Sequence, residues 1–111
     1  MAMILIWSTL PKEEMALQLG QQLVEEQLVA CAHLLPAGRS VYRWQGALQQ
    51  EVEWTLLLKT RESLYSQVER RLRELHPYEV PEIMATAVVQ VWQGYLDWVQ
   101  ASAPEQSMEN A

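Results

Sequence analysis

The chain has 111 residues, half of them apolar, a length that suits one domain with a modest core. Its longest apolar runs fall far short of the roughly 20 residues that cross a bilayer, so we expect no membrane partner. A formal charge of -6 disfavours a nucleic-acid partner, and the single Cys31, with no secretory signal pattern, favours a cytoplasmic location.

The first elements are a strand and a helix. Residues 3–9 are almost wholly apolar, which predicts a strand that is buried on both faces. Thr9, Pro11 and two glutamates then form a helix start. Apolar residues at three- and four-residue spacing continue this helix to about Gln27.

A long hairpin is predicted next. Residues 28–35 and 40–44 have extended patterns, with an interruption at Pro36 and Gly38 that predicts a kink or bulge in one second strand. Gln45-Gly46 predicts a tight turn, and residues 48–60 predict a long third strand. At about 3.3 Å per residue such a hairpin reaches on the order of 40 Å, so part of it must project from the body.

The last third of the chain returns to the sheet. Thr60 and Glu62 begin a second helix, which Pro77 ends because the residue before a proline is disfavoured in a helix. Alternating apolar residues predict a strand over residues 80–91, and a short helix follows over residues 94–102. We therefore expect a single domain over residues 1–102 and a flexible polar tail over residues 103–111.

The order of these elements, β-α-β-β-α-β plus a terminal helix, predicts an α+β ferredoxin-like fold. In this arrangement both long helices cover one face of an antiparallel sheet. Apolar residues on the other face are unsuited to water; they are Trp44, Leu57, Met84 and Val88. We therefore expect that face and the free hairpin edges to be covered by further copies of the chain.

The common catalytic and cofactor motifs are missing from the sequence. It contains no glycine-rich phosphate loop, no Cys-x-x-Cys, no His-x-x-x-His and no Gly-x-Ser-x-Gly. We therefore expect no enzymatic activity and no organic cofactor.

Cys31 and His33 are a candidate metal-ligand pair. They are two residues apart on a predicted strand, so both side chains lie on one face, where they could hold a soft cation such as copper. The alternative is that the cysteine is a small core residue and that the histidine lies in an interface.

The segment ELHPYEVPEI, residues 74–83, is the most unusual stretch of the chain. Its two prolines favour an extended backbone, which places His76, Tyr78 and Glu82 on one side. On the same sheet face, Lys59 is predicted to pair with Glu82. The alternative is a helix cap at His76 and an ion pair at an interface.

These side chains and two hairpin aromatics predict one polar and aromatic recess for a small ligand or a metal ion. The predicted ligand-binding residues are Tyr42, Trp44, Lys59, Tyr78 and Glu82. His76 is the leading candidate for a metal ligand within this recess.

Three segments resemble the CutA family of divalent-cation tolerance proteins: LVEEQLVACAHLLPAGRSVYRWQG, LLLKTRESLYSQVERRLRELHPYEVPEI and GYLDWV. The resemblance covers residues 3–102. It implies the ferredoxin-like fold and a homotrimer in which the long hairpins extend each sheet onto its neighbours. It also implies a cytoplasmic role in tolerance of copper, as Cu(II), and of other divalent cations, with no established reaction.

Some family positions carry other residues in this chain. A cysteine before the first helix and a second histidine ahead of Pro-Tyr are implicated in copper-holding members, and here these positions are Ser8 and Leu75. His33 and residues 90–94 also depart from the usual pattern. Three hypotheses stay open: a metal-binding trimer that uses His76 with Glu79 or Glu82, a sensor trimer that binds a small effector between subunits, and a purely structural trimer.

Overall fold

A computed structural model describes residues 2–106. The elements, in chain order, are β1 (Met3–Leu10), α1 (Glu13–Glu25), β2 (Cys31–Leu34), β3 (Gly38–Trp44), β4 (Ala47–Arg61), α2 (Tyr65–Leu75), β5 (Met84–Ala87) and α3 (Gln93–Ser102). A 3-10 turn, Glu62–Leu64, precedes α2. Within this part of the chain, no helix is long and apolar enough to cross a membrane.

The sheet is antiparallel throughout, in the order β2-β4-β1-β5, and β3 pairs with the other half of β4. The long β4 strand is therefore the organising element, because it contacts β1 and β2 near its end and β3 near its start. This confirms the predicted α+β architecture.

The core lies between α1, α2 and one face of the sheet, which we call the inner face. Ile6 of β1 and Leu58 of β4 face each other across neighbouring strands and have no exposed surface. Leu23 of α1 and Leu72 of α2 are equally buried. Burial of each such side chain stabilises the fold by about 1.5–3 kcal/mol.

Gly20 lets α1 approach the sheet closely. A Cβ atom at this position would lie 2.8 Å from the Cβ atom of Ala32 on β2. Only a glycine fits this contact without a shift of the backbone, since both of the atoms concerned are bound directly to main chain.

The predicted second strand is in fact two strands. Gln27 has a φ of 60° and ends α1, with Leu28 N donating to Leu23 O. Residues 28–30 leave the helix in this turn, so the ladder with β4 begins only at Cys31. Pro36 then lies in the break between β2 and β3, as expected for a residue without an N–H group.

The tight turn predicted at the hairpin tip is confirmed. Gln45 and Gly46 have φ values of 50° and 81°, as in the two-residue turns that match the twist of antiparallel strands. The projecting part of the hairpin carries several exposed apolar side chains: Val41, Tyr42, Trp44, Leu48 and Val52.

The strand predicted over residues 80–91 is much shorter than expected, and that prediction was wrong in extent. Pro81 has no N–H group to donate, and pairing with β1 begins only at Met84, opposite Trp7. At the other end, β1 begins at Met3, so residues after Val88 run beyond the strand that would pair with them.

The face of the sheet opposite the core, which we call the outer face, is partly covered by α3. Arg61 of β4 donates from Nε to Ala103 O at 2.7 Å, from Nη2 to Gln100 O at 2.9 Å and from Nη1 to Glu105 Oε1 at 3.0 Å. Hydrogen bonds from Ser63 and from Arg61 hold the pKa of the Glu105 carboxyl below its usual value. Residues 103–106 thus contact the body, and the remainder of the predicted tail, residues 107–111, lies outside the described residues.

Candidate functional site

An open cavity of about 670 Å³ lies between the hairpin and the segment that follows α2. We call it the acidic recess. Its chemically important lining residues are Tyr42, Trp44, Glu53, Tyr78, Glu79 and Glu82. In the part of the chain that the structure describes, no lysine, arginine or histidine lines it.

The chain reaches the recess because α2 ends at Leu75 and His76 caps it. This residue has an extended backbone, with φ of -75° and ψ of 138°, as the following Pro77 requires. Its N–H still bonds to Leu72 O, so the last helical turn is closed before the chain changes direction. The bend that follows, residues 77–80, carries Tyr78 toward β4.

His76 connects three segments and has no free ring nitrogen. Tyr78 N donates to Nδ1 at 3.1 Å, so Nε2 carries the proton and donates to Thr9 O at 2.9 Å. The side chain is only 8% exposed, and burial lowers its pKa, although the bond to Thr9 and the charge of Glu53 oppose this. A neutral imidazole whose two ring nitrogens are both in hydrogen bonds can coordinate a metal only after one of these hydrogen bonds is broken.

Tyr78 links this segment to a buried carboxylate. Its hydroxyl donates to Glu53 Oε2 at 2.7 Å. Burial, this bond and the negative charge of Glu53 raise the pKa of Tyr78, so the phenol keeps its proton. Glu53 is 7% exposed, and within residues 2–106 no basic side chain lies at ion-pair distance from it.

Glu82 adds a second carboxyl group to the recess. Burial raises its pKa, and the negative charge of Glu53 raises it further. The two groups therefore repel each other when both are ionised, and a cation in the recess would relieve that repulsion.

Four of the five predicted ligand-binding residues surround this recess: Tyr42, Trp44, Tyr78 and Glu82. Lys59 lies elsewhere. Its Nζ is 5.7 Å from the centre of the Tyr95 ring on α3.

The predicted ion pair between Lys59 and Glu82 is therefore wrong. Lys59 pairs with Leu5 of β1 across the sheet, and Leu5 pairs with Thr86 of β5. Glu82 precedes β5 and is displaced from Thr86 by four residues, or about 13 Å along an extended chain. The choice of sheet face was right, but the register was not.

Glu53 is the residue that sequence reasoning missed as part of the site. A glutamate is uncommon within a strand, and its neighbours Val52 and Trp54 are both apolar. That contrast was the available signal.

Cys31 and His33 lie on the outer face, opposite Lys59 and Leu57 of β4. Cys31 is half-buried and His33 is exposed. Across the described residues, no three His, Cys, Asp or Glu side chains are grouped closely enough to hold a metal ion. Any metal site at this pair needs ligands that one chain does not supply.

The two positions that differ from copper-holding family members also lie outside the recess. Ser8 is fully buried on the inner face, opposite Leu56, and its Oγ has no hydrogen-bond partner among residues 2–106. Leu75 is partly exposed at the end of α2 and contributes to a separate apolar cleft.

Comparison with known proteins gives a consistent result. The family model of the CutA1 divalent ion tolerance protein matches residues 4–102. The divalent-cation tolerance protein CutA of Thermotoga maritima is 41% identical over 100 residues, which cover 90% of this chain and 98% of that protein. The protein of the same name from Thermus thermophilus is 41% identical over 92 residues, covering 83% and 89% of the two chains.

Solved structures agree with the sequence comparison. The crystal structure of CutA1 from Oryza sativa superposes with a TM-score of 0.91 at 33% identity, over 95% of this chain and 96% of that one. Similar proteins carry names from different compartments, chloroplastic in Arabidopsis thaliana and periplasmic in Archaeoglobus fulgidus.

Proposed function

This chain belongs to the family of CutA1 divalent ion tolerance proteins, and from that membership we propose that it is a cytoplasmic homotrimer that binds a divalent cation in the acidic recess. Tolerance of divalent metal ions would follow from that binding. The proposal assigns a binding role and no catalysed reaction.

One observation carries the proposal: three glutamates line the recess without a basic side chain among them, namely Glu53, Glu79 and Glu82. Carboxylate oxygens favour hard divalent cations. The three carboxyl groups are not close enough together for all of them to bind one ion, so water or a neighbouring subunit would complete the coordination. His76 stands directly behind the recess and positions Tyr78. The metal titration described below also tests the predicted role of His76 as a metal ligand.

The homotrimer is supported by apolar side chains that have no cover in a single chain. Leu48 and Val52 on the hairpin, Met84 on β5 and Trp92 before α3 are all exposed. Such surfaces are typical of interfaces between subunits. Light scattering on the purified chain should give a mass of three chains at micromolar concentration, and a stable monomer would contradict this part of the proposal.

Titration calorimetry of the metal-free protein with Mn(II) and with Cu(II) tests the metal site. We expect dissociation constants well below millimolar, since millimolar binding corresponds to only about 4 kcal/mol. Glu82→Gln should weaken Mn(II) binding at least about tenfold, because one ionised oxygen ligand is lost. The exposed Glu14→Gln on α1 is the control for the change in net charge.

Two results would reject this assignment. Binding no tighter than millimolar in the wild-type protein would show that it has no specific metal site. Equal affinity in Glu82→Gln and Glu14→Gln moves the metal away from the recess, and a loss that occurs only in His76→Ala assigns the metal to the imidazole instead.

A preference for copper would be explained better by Cys31 and His33, whose sulfur and nitrogen atoms are softer ligands. The pair lies on one face of β2 and would need a third ligand from another copy of the chain. Cys31→Ser should then abolish Cu(II) binding and leave Mn(II) binding unchanged. The opposite pattern would rule out this pair as the copper site.

A second candidate function is that of a sensor trimer that binds a small organic effector. The observation in its favour is the size of the recess, about 670 Å³, which falls within the range of roughly 300–1,000 Å³ for small-molecule sites. A bound effector raises the unfolding midpoint, so thermal-shift screening of metabolites tests it. If neither metal ions nor metabolites bind, the purely structural trimer remains.

A further inference from the structure

The walls of the acidic recess are aromatic as well as acidic. Trp44 and Tyr42 of β3 are each 40% exposed although both line the cavity, and Tyr78 lines it as well. Aromatic ring faces carry a negative electrostatic potential that attracts cations, and tryptophan does so most strongly. A hydrated metal ion would gain little from such walls, because its water shell separates it from the aromatic rings.

Glu53 supplies an independent indication of a ligand. The side chain is more than nine-tenths buried and lines the cavity. One carboxylate oxygen accepts the Tyr78 hydroxyl. The other has no hydrogen-bond partner within residues 2–106 and is not among the fully buried unpaired atoms, so it is open to the cavity. An oxygen in this position, with no counter-charge in its own chain, can accept a hydrogen bond from a cationic ligand.

The absence of Lys59 from the recess indicates that the ligand is positively charged. With Lys59 held over the Tyr95 ring, the part of the recess that one chain supplies contains carboxyl groups and no lining basic residue, so it disfavours carboxylate and phosphate ligands. The described residues also lack a group of three metal-ligating side chains. A larger cation with its own hydrogen-bond donors fits both facts.

We propose that the acidic recess binds a primary alkylammonium ion, whose N–H groups donate to Glu53 and Glu82 and whose hydrocarbon part lies against Trp44. This rests on the proposed function only in that both treat the recess as a site for cations. It adds the chemical class of the organic ligand. A quaternary ammonium ion binds more weakly, because it cannot donate a hydrogen bond to the free oxygen of Glu53.

The experiment is a calorimetric titration of the full chain with n-butylammonium chloride at constant ionic strength. The neutral isostere n-butanol and the quaternary tetramethylammonium ion are titrated alongside. We expect measurable binding of n-butylammonium, no detectable binding of n-butanol and an intermediate result for tetramethylammonium.

Two pairs of variants locate the site. Glu53→Gln keeps an acceptor for Tyr78 and should weaken binding about tenfold or more, whereas Glu14→Gln should not change it. Trp44→Leu removes the ring but keeps an apolar contact, and it should weaken binding about 2- to 30-fold. Its control is Trp92→Leu, since Trp92 is 80% exposed and does not line the recess. Each variant is first checked by light scattering for wild-type mass.

The proposal is overturned if n-butanol binds as tightly as n-butylammonium, or if Glu53→Gln and Glu14→Gln behave alike. Tyr78→Phe provides a second measurement if Glu53→Gln does not fold, and it should also weaken binding because Glu53 loses the bond that orients it. A parallel Mn(II) titration separates the two proposals. Binding of Mn(II) without n-butylammonium rejects the organic ligand alone, and the reverse result rejects the metal site alone.

Discussion

Glu53 and Arg61 lie on the same face of β4, Glu53 at the base of the hairpin and Arg61 at the C-terminal end, and both are at least nine-tenths buried. Their surroundings differ. Arg61 donates to two backbone carbonyls and to Glu105, so each of its three nitrogens has an acceptor. Glu53 accepts one hydrogen bond, from Tyr78, and meets no cation among the described residues.

The comparison distinguishes a buried charge that stabilises the fold from a buried charge that can still bind a ligand. A buried charge contributes to stability only when its partners replace the water that it lost. Arg61 meets that condition within its own chain and fixes α3 and residues 103–106 on the sheet. Glu53 does not meet it, so the same strand holds a group whose remaining interactions must come from outside the chain.

The largest expected effect comes from Arg61→Ala. The change leaves the carbonyls of Gln100 and Ala103 without their donor and should lower the free energy of unfolding by about 3 kcal/mol. Denaturant unfolding at fixed protein concentration measures it. Arg39→Ala, an exposed residue on the hairpin, should change stability by less than about 0.5 kcal/mol. Equal effects at the two arginines would remove the structural role of Arg61.

The next effect is expected at His76, on the Glu53 side of the comparison. His76→Ala should cost about 2 kcal/mol at neutral pH, because Thr9 O and Tyr78 N both lose their partner. His33→Ala, an exposed residue, is the control.

The pH dependence of this loss is determined by the lowered pKa of His76. The folded state disfavours protonation, so the contribution to stability is present above the ordinary pKa of 6.5 and is lost as pH falls through the folded value. Urea unfolding at a series of pH values should show the wild-type protein and His76→Ala converging in acid. A constant difference between them would contradict the assignment of a neutral, buried imidazole.

Glu53→Gln should change stability in the opposite direction. The amide oxygen can still accept the Tyr78 hydroxyl, while the cost of an unpaired buried charge disappears, so we expect a gain of about 1 kcal/mol. Removing a functional group commonly has this stabilising effect. A loss as large as that of Arg61→Ala would show that the two charges are equally structural.

The smallest effect is expected for Glu82→Gln. The raised pKa of Glu82 means that its folded state binds a proton more readily than the unfolded chain does. Stability is therefore highest below the ordinary value of 4.5 and falls as pH rises through the folded pKa.

The variant removes this fall, so it should exceed the wild-type protein by a few tenths of a kcal/mol near pH 8 and match it near pH 4. Thermal unfolding at the two pH values provides the measurement. The assignment would be wrong if the two proteins differed more in acid than in base.

The architecture was predictable because local signals and the fold agree. Gln45-Gly46 specifies its turn by backbone conformation alone, and Pro77 ends α2 for the same kind of reason. The length of β5 was not predictable from its own alternation, since the strand extends only as far as β1 offers partners. An alternating pattern indicates which face of the sheet a residue lies on. It carries no information about where the neighbouring strand ends.

The candidate site shows the same limit. Tyr78 and Glu82 both line the recess, as predicted, but the extended segment predicted between them was wrong. Residues 77–80 form a bend, so Glu79 also lines the recess and His76 does not. The error at Lys59 and the omission of Glu53 have one origin, the register between strands. Both residues lie on the outer face of β4, and only pairing with β1 and β3 decides which of them reaches the recess.

Gly20 has a consequence for protein engineering. Glycine is a poor helix former, and replacement by alanine inside a helix ordinarily raises stability by up to about 1 kcal/mol. In this chain the added methyl group would meet the Cβ of Ala32 at 2.8 Å. A design protocol that ranks substitutions by helix propensity would therefore select a change that pushes α1 away from β2, and a library that keeps Gly20 fixed would preserve the packing.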